Sequence, residues 1–433
     1  MLNLPFRAAL AILMGGASAF AQTPPPPAAM NLNLAQAEQL AVRNNPAISA
    51  AVSSAQAAAQ GPLEARSGLL PTVFGSATGV GADSGSRLAA GALNNPVVYS
   101  RLGTGLTVNQ LITDFGRTRS LVEASKFHAA AEGQIAESVR ANIVLETDRA
   151  YYALLRAQSV LTVSEQTVSA RQLVSDQVTQ LAKASLKSQL DVSFANVNLA
   201  QAKIQLSGAR NQLSSAAAEL ATVIGLPEQR SFVLADEPLP AALDPAAESY
   251  IQAALEKRPE LANLRLEVSA AERNLHAERA LSYPTIGVIG TAGFVPAGEP
   301  SVPGRYGAIG ANINIPILNG GLFKARRTEA ELRLQAVSRR VDDLRNRIVR
   351  DVRTAWLDAS TAFEQVDLTA QLLDQAKLAL DLAQGRYELG LSSIVELSQA
   401  QLNLTSAQIA GAGAKFDYLA ERSYLAYEAG TLR

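Results

Sequence analysis

Apolar positions recur along this chain in two rhythms, one near 3.5 residues and one of 2, and the two alternate in a fixed order. Val337, Val341, Leu344, Ile348, Val352, Ala355, Ala359, Ala362 and Val366 follow at steps of 4, 3, 4, 4, 3, 4, 3 and 4. This heptad seam with one stutter predicts a long helix packed lengthwise on its neighbours, locally straightened where the extra step falls. Val139, Ile143, Thr147, Ala150, Leu154, Ala157 and Leu161 carry the same seam 205 positions earlier, with the stutter at the same place. From about Asp114 to Ala184 and from about Asn319 to Leu389 the chain is expected to form two helices of roughly 70 residues, each about 105 Å long. A second helix of roughly 40 residues follows the first turn, about Ser185 to Ile224. Shorter helices are expected at Leu34 to Ser67 and Glu248 to Leu281, each stopping before a proline. Stacked end to end, a short helix and the helix after the turn would match a long one in length.

The period of 2 appears where the short helices end. Residues 72–81 and 101–112, and again 285–294 and 306–317, are rich in small and β-branched side chains and predict paired strands. In the last of these Ile309, Ala311, Ile313, Ile315 and Ile317 alternate with Ala308, Gly310, Asn312 and Asn314. Such a strand suits a barrel facing lipid outside and water inside, and equally a half-buried soluble sheet. The intervening stretches 82–100 and 295–305, rich in glycine, proline and asparagine, read as exposed hairpin loops.

The order of elements occurs twice. Pro46 and Pro259, like Pro71 and Pro284, are 213 positions apart, whereas Tyr151 and Trp356, Leu186 and Leu391, and Asp191 and Glu396 are 205 apart. Two units are therefore expected, 34–226 and 248–433, joined by a proline- and acid-containing connection at 227–247. The offset changes in one variable loop.

Ahead of them, Arg7, the apolar run Ala8 to Ala19 and Ala19-Phe20-Ala21 read as a secretory signal peptide over residues 1–21. Residues 22–33, with four consecutive prolines, read as an extended linker. No other segment is long and apolar enough for a membrane helix, so a membrane-spanning form of this chain must use a closed barrel. The fold class expected is mainly α with a small antiparallel β-barrel contribution. Four strands cannot close a barrel, so copies must associate; three would give twelve strands, a number the pattern itself does not fix.

Composition narrows the chemistry. With 38 basic and 39 acidic residues the chain has no broad positive field for nucleic acid. Cysteine is absent, and His128 and His276 stand in helical segments without a second ligand in view. No phosphate loop, zinc helix, nucleophile elbow or dinucleotide fingerprint is present, so neither an enzyme nor a cofactor or metal site is expected. Lys324, Arg326, Arg327, Arg333, Arg339 and Arg340 read as a solvated helix face interleaved with Glu329 and Glu331.

Asn312 to Gly321, at the strand-to-helix entry, and Arg386-Tyr387-Glu388-Leu389-Gly390-Leu391-Ser392-Ser393, at the far helical turn, resemble the TolC family of outer-membrane channel proteins. The resemblance extends over nearly all of the chain after residue 21. It implies a homotrimeric 12-stranded barrel in the outer membrane, contacting its lipid and continuing into a helical tunnel through the periplasm. It also implies two partners: a periplasmic adaptor and an inner-membrane transporter that supplies the energy. By the same resemblance Glu396 matches an acid ringing the periplasmic aperture, Tyr387 a tyrosine that holds it closed, and Asp191 an acid on the neighbouring hairpin. The family's second acid and its basic residue near the turn are replaced by Gln399 and Ser392. Read without the family, Glu396 and Asp191 are solvated helix-end carboxylates and Tyr387 continues the packing seam. Ser185, Leu186, Gly390 and Leu391 resemble the hairpin tips that meet the adaptor, or are plain helix turns. The reading from another class is a secreted coiled-coil scaffold without a pore.

Overall fold

The computed structural model describes residues 30–87, 97–226, 232–298, 300 and 303–432. The expected signal peptide, most of the linker and part of the first hairpin loop lie outside these. In chain order the elements are β1 (Met30–Leu32), α1 (Leu34–Asn44), α2 (Pro46–Ala58), α3 (Gly61–Ser67), β2 (Thr72–Val80), β3 (Arg101–Thr113), α4 (Arg117–Lys183) and α5 (Gln189–Val223). They continue with β4 (Phe232–Leu234), α6 (Glu248–Lys257), α7 (Pro259–Ala280), β5 (Thr285–Gly298), β6 (Arg305–Asn314), α8 (Leu322–Glu388) and α9 (Ile394–Glu428).

α4 and α8 each have 67 residues, about 100 Å of helix. α5 and α9 each have 35 and fold back along them as antiparallel hairpins, while α4 also packs on α7 and α9. The seams are buried at their centres: Ile143, Ala150 and Leu154 on α4, and Ile348, Val352, Ala355 and Ala359 on α8. Around the first gather Leu32, Ala37, Ala41, Leu220, Ile224 and Phe416, and around the second Ile251, Leu261 and Leu425. Each fully buried Leu or Ile contributes about 1.5–3 kcal/mol, so both cores hold the chain near the middle of its long helices.

Neither stretch expected as one short helix is continuous. The first is split into α1, α2 and α3, the second into α6 and α7. Pro46 and Pro259 cause the main breaks: each occupies the first turn of a new helix and forces the preceding residue into extended backbone, with ψ of 123° at both Asn45 and Arg258. These breaks receive the ends of the return helices. At the first, Asn45 caps α2 through its side-chain oxygen and donates its amide to the Val223 carbonyl at 3.0 Å, joining α5 end-on to α2. Gly225 there has φ of +71°, and a Cβ on it would strike the Asn44 backbone at 2.9 Å. At the second break Arg258 forms a buried ion pair with Glu428 at 2.6 Å and a second with Glu260 at 3.2 Å.

The main sheet is wholly antiparallel in the order β2-β3-β5-β6, with the outer edges of β2 and β6 unpaired among the described residues. Cross-strand partners share a face, so the register sorts the side chains. One face carries Val73, Leu106, Val108, Val288, Phe294, Ile309 and Ile313; the other carries Thr72, Ser76, Thr107, Asn109, Thr291, Asn312 and Asn314, together with Phe74 and Ile289. On the second face the Tyr306 ring lies across Gly293 and Gly105, where any Cβ would collide with it. β6 stops at Asn314 rather than 317, because Pro316 has no amide to donate. A two-stranded parallel pair, β1 with β4, was not foreseen: it takes residues from the end of the expected linker and from the expected connection. Among the described residues no helix is long and apolar enough to cross a membrane.

Candidate functional site

The residues singled out at the far helical turns lie at two hairpin tips built alike. α4 ends with the Leu186 amide on the Leu181 carbonyl and the Ser185 amide on the Ala182 carbonyl, both at 2.9 Å. α8 ends with Leu391 on Arg386 at 2.8 Å and Gly390 on Tyr387 at 3.1 Å. Both are Schellman ends, which need a left-handed residue, and Gly390 has φ of +73° while Ser185 is held at +61°. The leucine after such a residue ordinarily packs back on the helix; here Leu186 is 70% and Leu391 68% exposed.

The carboxylates have separate partners. Asp191 closes a capping box, accepting from the Ser188 amide at 2.9 Å and the Ser188 hydroxyl at 2.7 Å. Glu396, in the first turn of α9, pairs with Arg386 Nε at 3.2 Å, and both groups are about half exposed. Gln399 is exposed and donates to Asn403 at 3.0 Å. Tyr387 is 6% exposed, packed with Val178, Val192, Ala195, Ile394 and Leu397, and its hydroxyl has no hydrogen-bond partner. Burial, and then the Asp191 charge, push the Tyr387 hydroxyl above the usual tyrosine range.

Two cations here were not picked out from the sequence. Lys187 sits 3.6 Å over the Tyr387 ring and donates to the Tyr387 carbonyl at 3.2 Å, tying the tip of the first hairpin to the second. Arg386 holds Glu396. Basic groups are thus present at the tips, although Ser392 is not one of them. Behind the tips α4 buries Ser164, Thr167, Arg171 and Ser175 in place of large apolar groups. Ser175 bonds Asn196 at 2.7 Å within the hairpin, and Asn198 donates to Ser398 at 2.7 Å between hairpins.

A third group lies at mid-height. Asp148 on α4 is 1% exposed, faces Glu38 of α1 and Glu237 after β4, and is hydrogen-bonded by Ser423 of α9. Tyr152 donates to Glu237 at 3.1 Å, and Asp148 Oδ1 has no partner. Burial pushes Asp148 up to about 8; the Ser423 hydrogen bond opposes the shift, and the two neighbouring carboxylates add to it. Glu38 is also raised, first by burial. The surrounding heptad gave no sign that Asp148 would point inward. His128 contacts Glu267 at 2.7 Å, and among the described residues no set of three His, Asp or Glu could hold a metal. Several arginines of the basic α8 face are paired, Arg326 with Glu278, Arg327 with Glu331 and Arg333 with Glu329.

The sequence profile of the family described as outer membrane efflux protein matches residues 37–226 and 250–430. The chain is 25% identical over 416 residues to the outer membrane protein TolC of Salmonella enteritidis, covering 92% of this chain and 82% of that protein. It is 26% identical over 326 residues to the solvent efflux pump outer membrane protein SrpC of Pseudomonas putida, covering 72% and 67%. Among solved structures, a membrane protein from Pseudomonas aeruginosa superposes with a TM-score of 0.81 at 22% identity, covering 92% and 93%. VceC of Vibrio cholerae superposes with a TM-score of 0.78 at 20% identity, covering 92% and 96%. These two likenesses bear on the fold.

Proposed function

The chain belongs to the outer membrane efflux protein family, whose members are outer-membrane channels and not enzymes, and we propose that it is the exit duct of a tripartite efflux pump or type I secretion system. The coarser part stands on the family: an outer-membrane efflux channel related to TolC. In the finer part three copies close a 12-stranded barrel, the helices extend into the periplasm, and an adaptor and an inner-membrane transporter deliver the cargo. Two repeats, 34–226 and 248–433, then build each subunit behind a signal peptide.

One observation supports association of copies into a duct. α5 exposes a regular heptad, Leu190, Ser193, Val197, Ala200, Ile204 and Ser207, and α8 exposes another, Leu368, Leu372, Gln375, Ala379, Leu382 and Arg386, continued by Leu389 just past its end. Neither seam is covered within one chain, and both run toward the tips. A neighbouring copy that packs its α8 against this α5 covers both, and the same rotation pairs the free edges of β2 and β6. A pore-free scaffold accounts for the seams but not for a sheet exposed on both faces.

In this reading Glu396, with Asp191, Tyr387 and Gln399 nearby in the fold, borders the aperture, and Leu186 and Leu391 present apolar tips to the adaptor. Lys187 on Tyr387 and Arg386 on Glu396 restrain the closed form, and the small polar packing behind them lets the hairpins part. The test is single-channel recording of the detergent-purified protein in planar bilayers. Cation-preferring pores whose preference falls in Glu396→Ala support the duct; absence of any pore with the wild-type protein refutes it.

A further inference from the structure

The four strands of the main sheet contain two charged side chains, Arg101 and Arg305, and both stand at the ends remote from the long helices. The register puts them on opposite faces. Arg101 shares its face with Thr107 and Asn109, whereas Arg305 pairs with Phe294 and shares its face with Leu106, Ile309 and Ile313. Arg305 is therefore the sole charge on the apolar face of these strands. It is exposed and forms no ion pair among the described residues, in contrast to the paired arginines of α8.

Position along the strand fixes its depth. From Arg305 to Asn314 the strand rises about 30 Å, and at a barrel tilt of about 40° this spans roughly 23 Å, close to the height of a barrel's apolar band. An arginine at that level clears the acyl chains and lies among headgroups. Beside it runs a cleft of about 610 Å³ lined by Leu106, Ala292, Phe294, Val295, Pro296 and Arg305. Its floor is apolar and its one charged group is a guanidinium, whose fork matches a phosphate.

We propose that Arg305 and this cleft bind a lipid of the outward leaflet that bears an unmasked phosphomonoester, with an acyl chain along Leu106 and Phe294 and the phosphate on the guanidinium. The proposal rests on the channel reading for the sheet's orientation. The partner is a lipid, not free phosphate: the apolar floor contributes only to an occupant with a hydrocarbon chain.

The test is native mass spectrometry of the full chain in detergent with lipid A, with phosphatidylcholine, and with glycerol phosphate. Wild type retains lipid A in preference to phosphatidylcholine. Arg305→Gln lowers that retention about tenfold, as loss of one charge-assisted contact requires, Arg305→Lys lowers it less, and Arg101→Gln leaves it unchanged. Equal retention by wild type and Arg305→Gln, an equal loss with Arg101→Gln, or displacement by glycerol phosphate would each overturn the site. Bilayer recording on the same preparations keeps the two claims apart: Arg305→Gln still conducts, whereas a non-conducting wild type refutes the channel and leaves the lipid measurement to be read by itself.

Discussion

Replacing Asp148 by asparagine should abolish most of the pH dependence of stability between pH 5 and 7. The carboxyl is buried at the junction of α1, α4, α9 and the segment after β4, with Glu38 and Glu237 facing it, Ser423 bonded to it and Tyr152 on Glu237. Its folded value of about 8 lies above the ordinary 3.8, so the folded chain keeps a proton that the unfolded chain has released. The stabilising contribution is complete below about pH 4 and is lost progressively as pH rises toward about 8. Within that window the slope is about −1.4 kcal/mol per pH unit, or roughly 2 to 3 kcal/mol between pH 5 and 7. At about 2 cal/mol/K of unfolding entropy per residue this is a fall of roughly 3 °C in the midpoint. Asparagine has the same shape and no proton to lose, so the variant's midpoint should change by less than half as much over the same range. The residual slope belongs to Glu38, Asp417 and Glu421, all raised by burial. Thermal unfolding followed by circular dichroism in detergent, at pH 5, 6, 7 and 8, measures it. A flat wild-type profile, or equal slopes in wild type and variant, would refute the reasoning.

Two further changes test the helix ends. Ser185→Gly should stabilise by about 0.5 to 1 kcal/mol by relieving a left-handed serine, while Gly390→Ser should cost a similar amount, both read as shifts in the same melts. Arg258→Met should destabilise by about 3 to 5 kcal/mol, since it leaves Glu428 buried without its cation, and Arg258→Met with Glu428→Leu should recover most of the loss.

The long helices and the strands were legible because their periods persist over many residues: α4 and α8 fall within a few positions of expectation, and β2, β3 and β5 start where the alternation starts. The breaks at Asn45 and Arg258 were also written in the sequence, as the prolines that follow them, but an apolar pattern continuing on both sides hid them. β1 and β4 were not legible, since three residues cannot establish a period and their pairing joins positions about 200 apart. Positional matching put Glu396, Tyr387 and the leucines at the tips, where the fold has them, but did not single out Lys187 or Arg386, whose partners are set by how the hairpins lie side by side. Asp148 shows the same limit: an acid in a heptad reads as surface until the helices around it are assembled.

The two cores clamp the long helices near their middles; beyond them α4 buries Ser164, Thr167, Arg171 and Ser175, and a smaller apolar cluster around Val178 and Tyr387 closes the tips. Between Asp148 and Ala184 lies roughly 54 Å of α4, a lever arm with its fulcrum in the packed core. Tilting that arm by about 5° carries its end about 5 Å sideways, more than the width of a water molecule. A substitution that shifts the fulcrum by a fraction of an ångström is therefore geared up at the tip, and in the trimeric duct proposed above the bore is set as much by residues that never line it as by those that do.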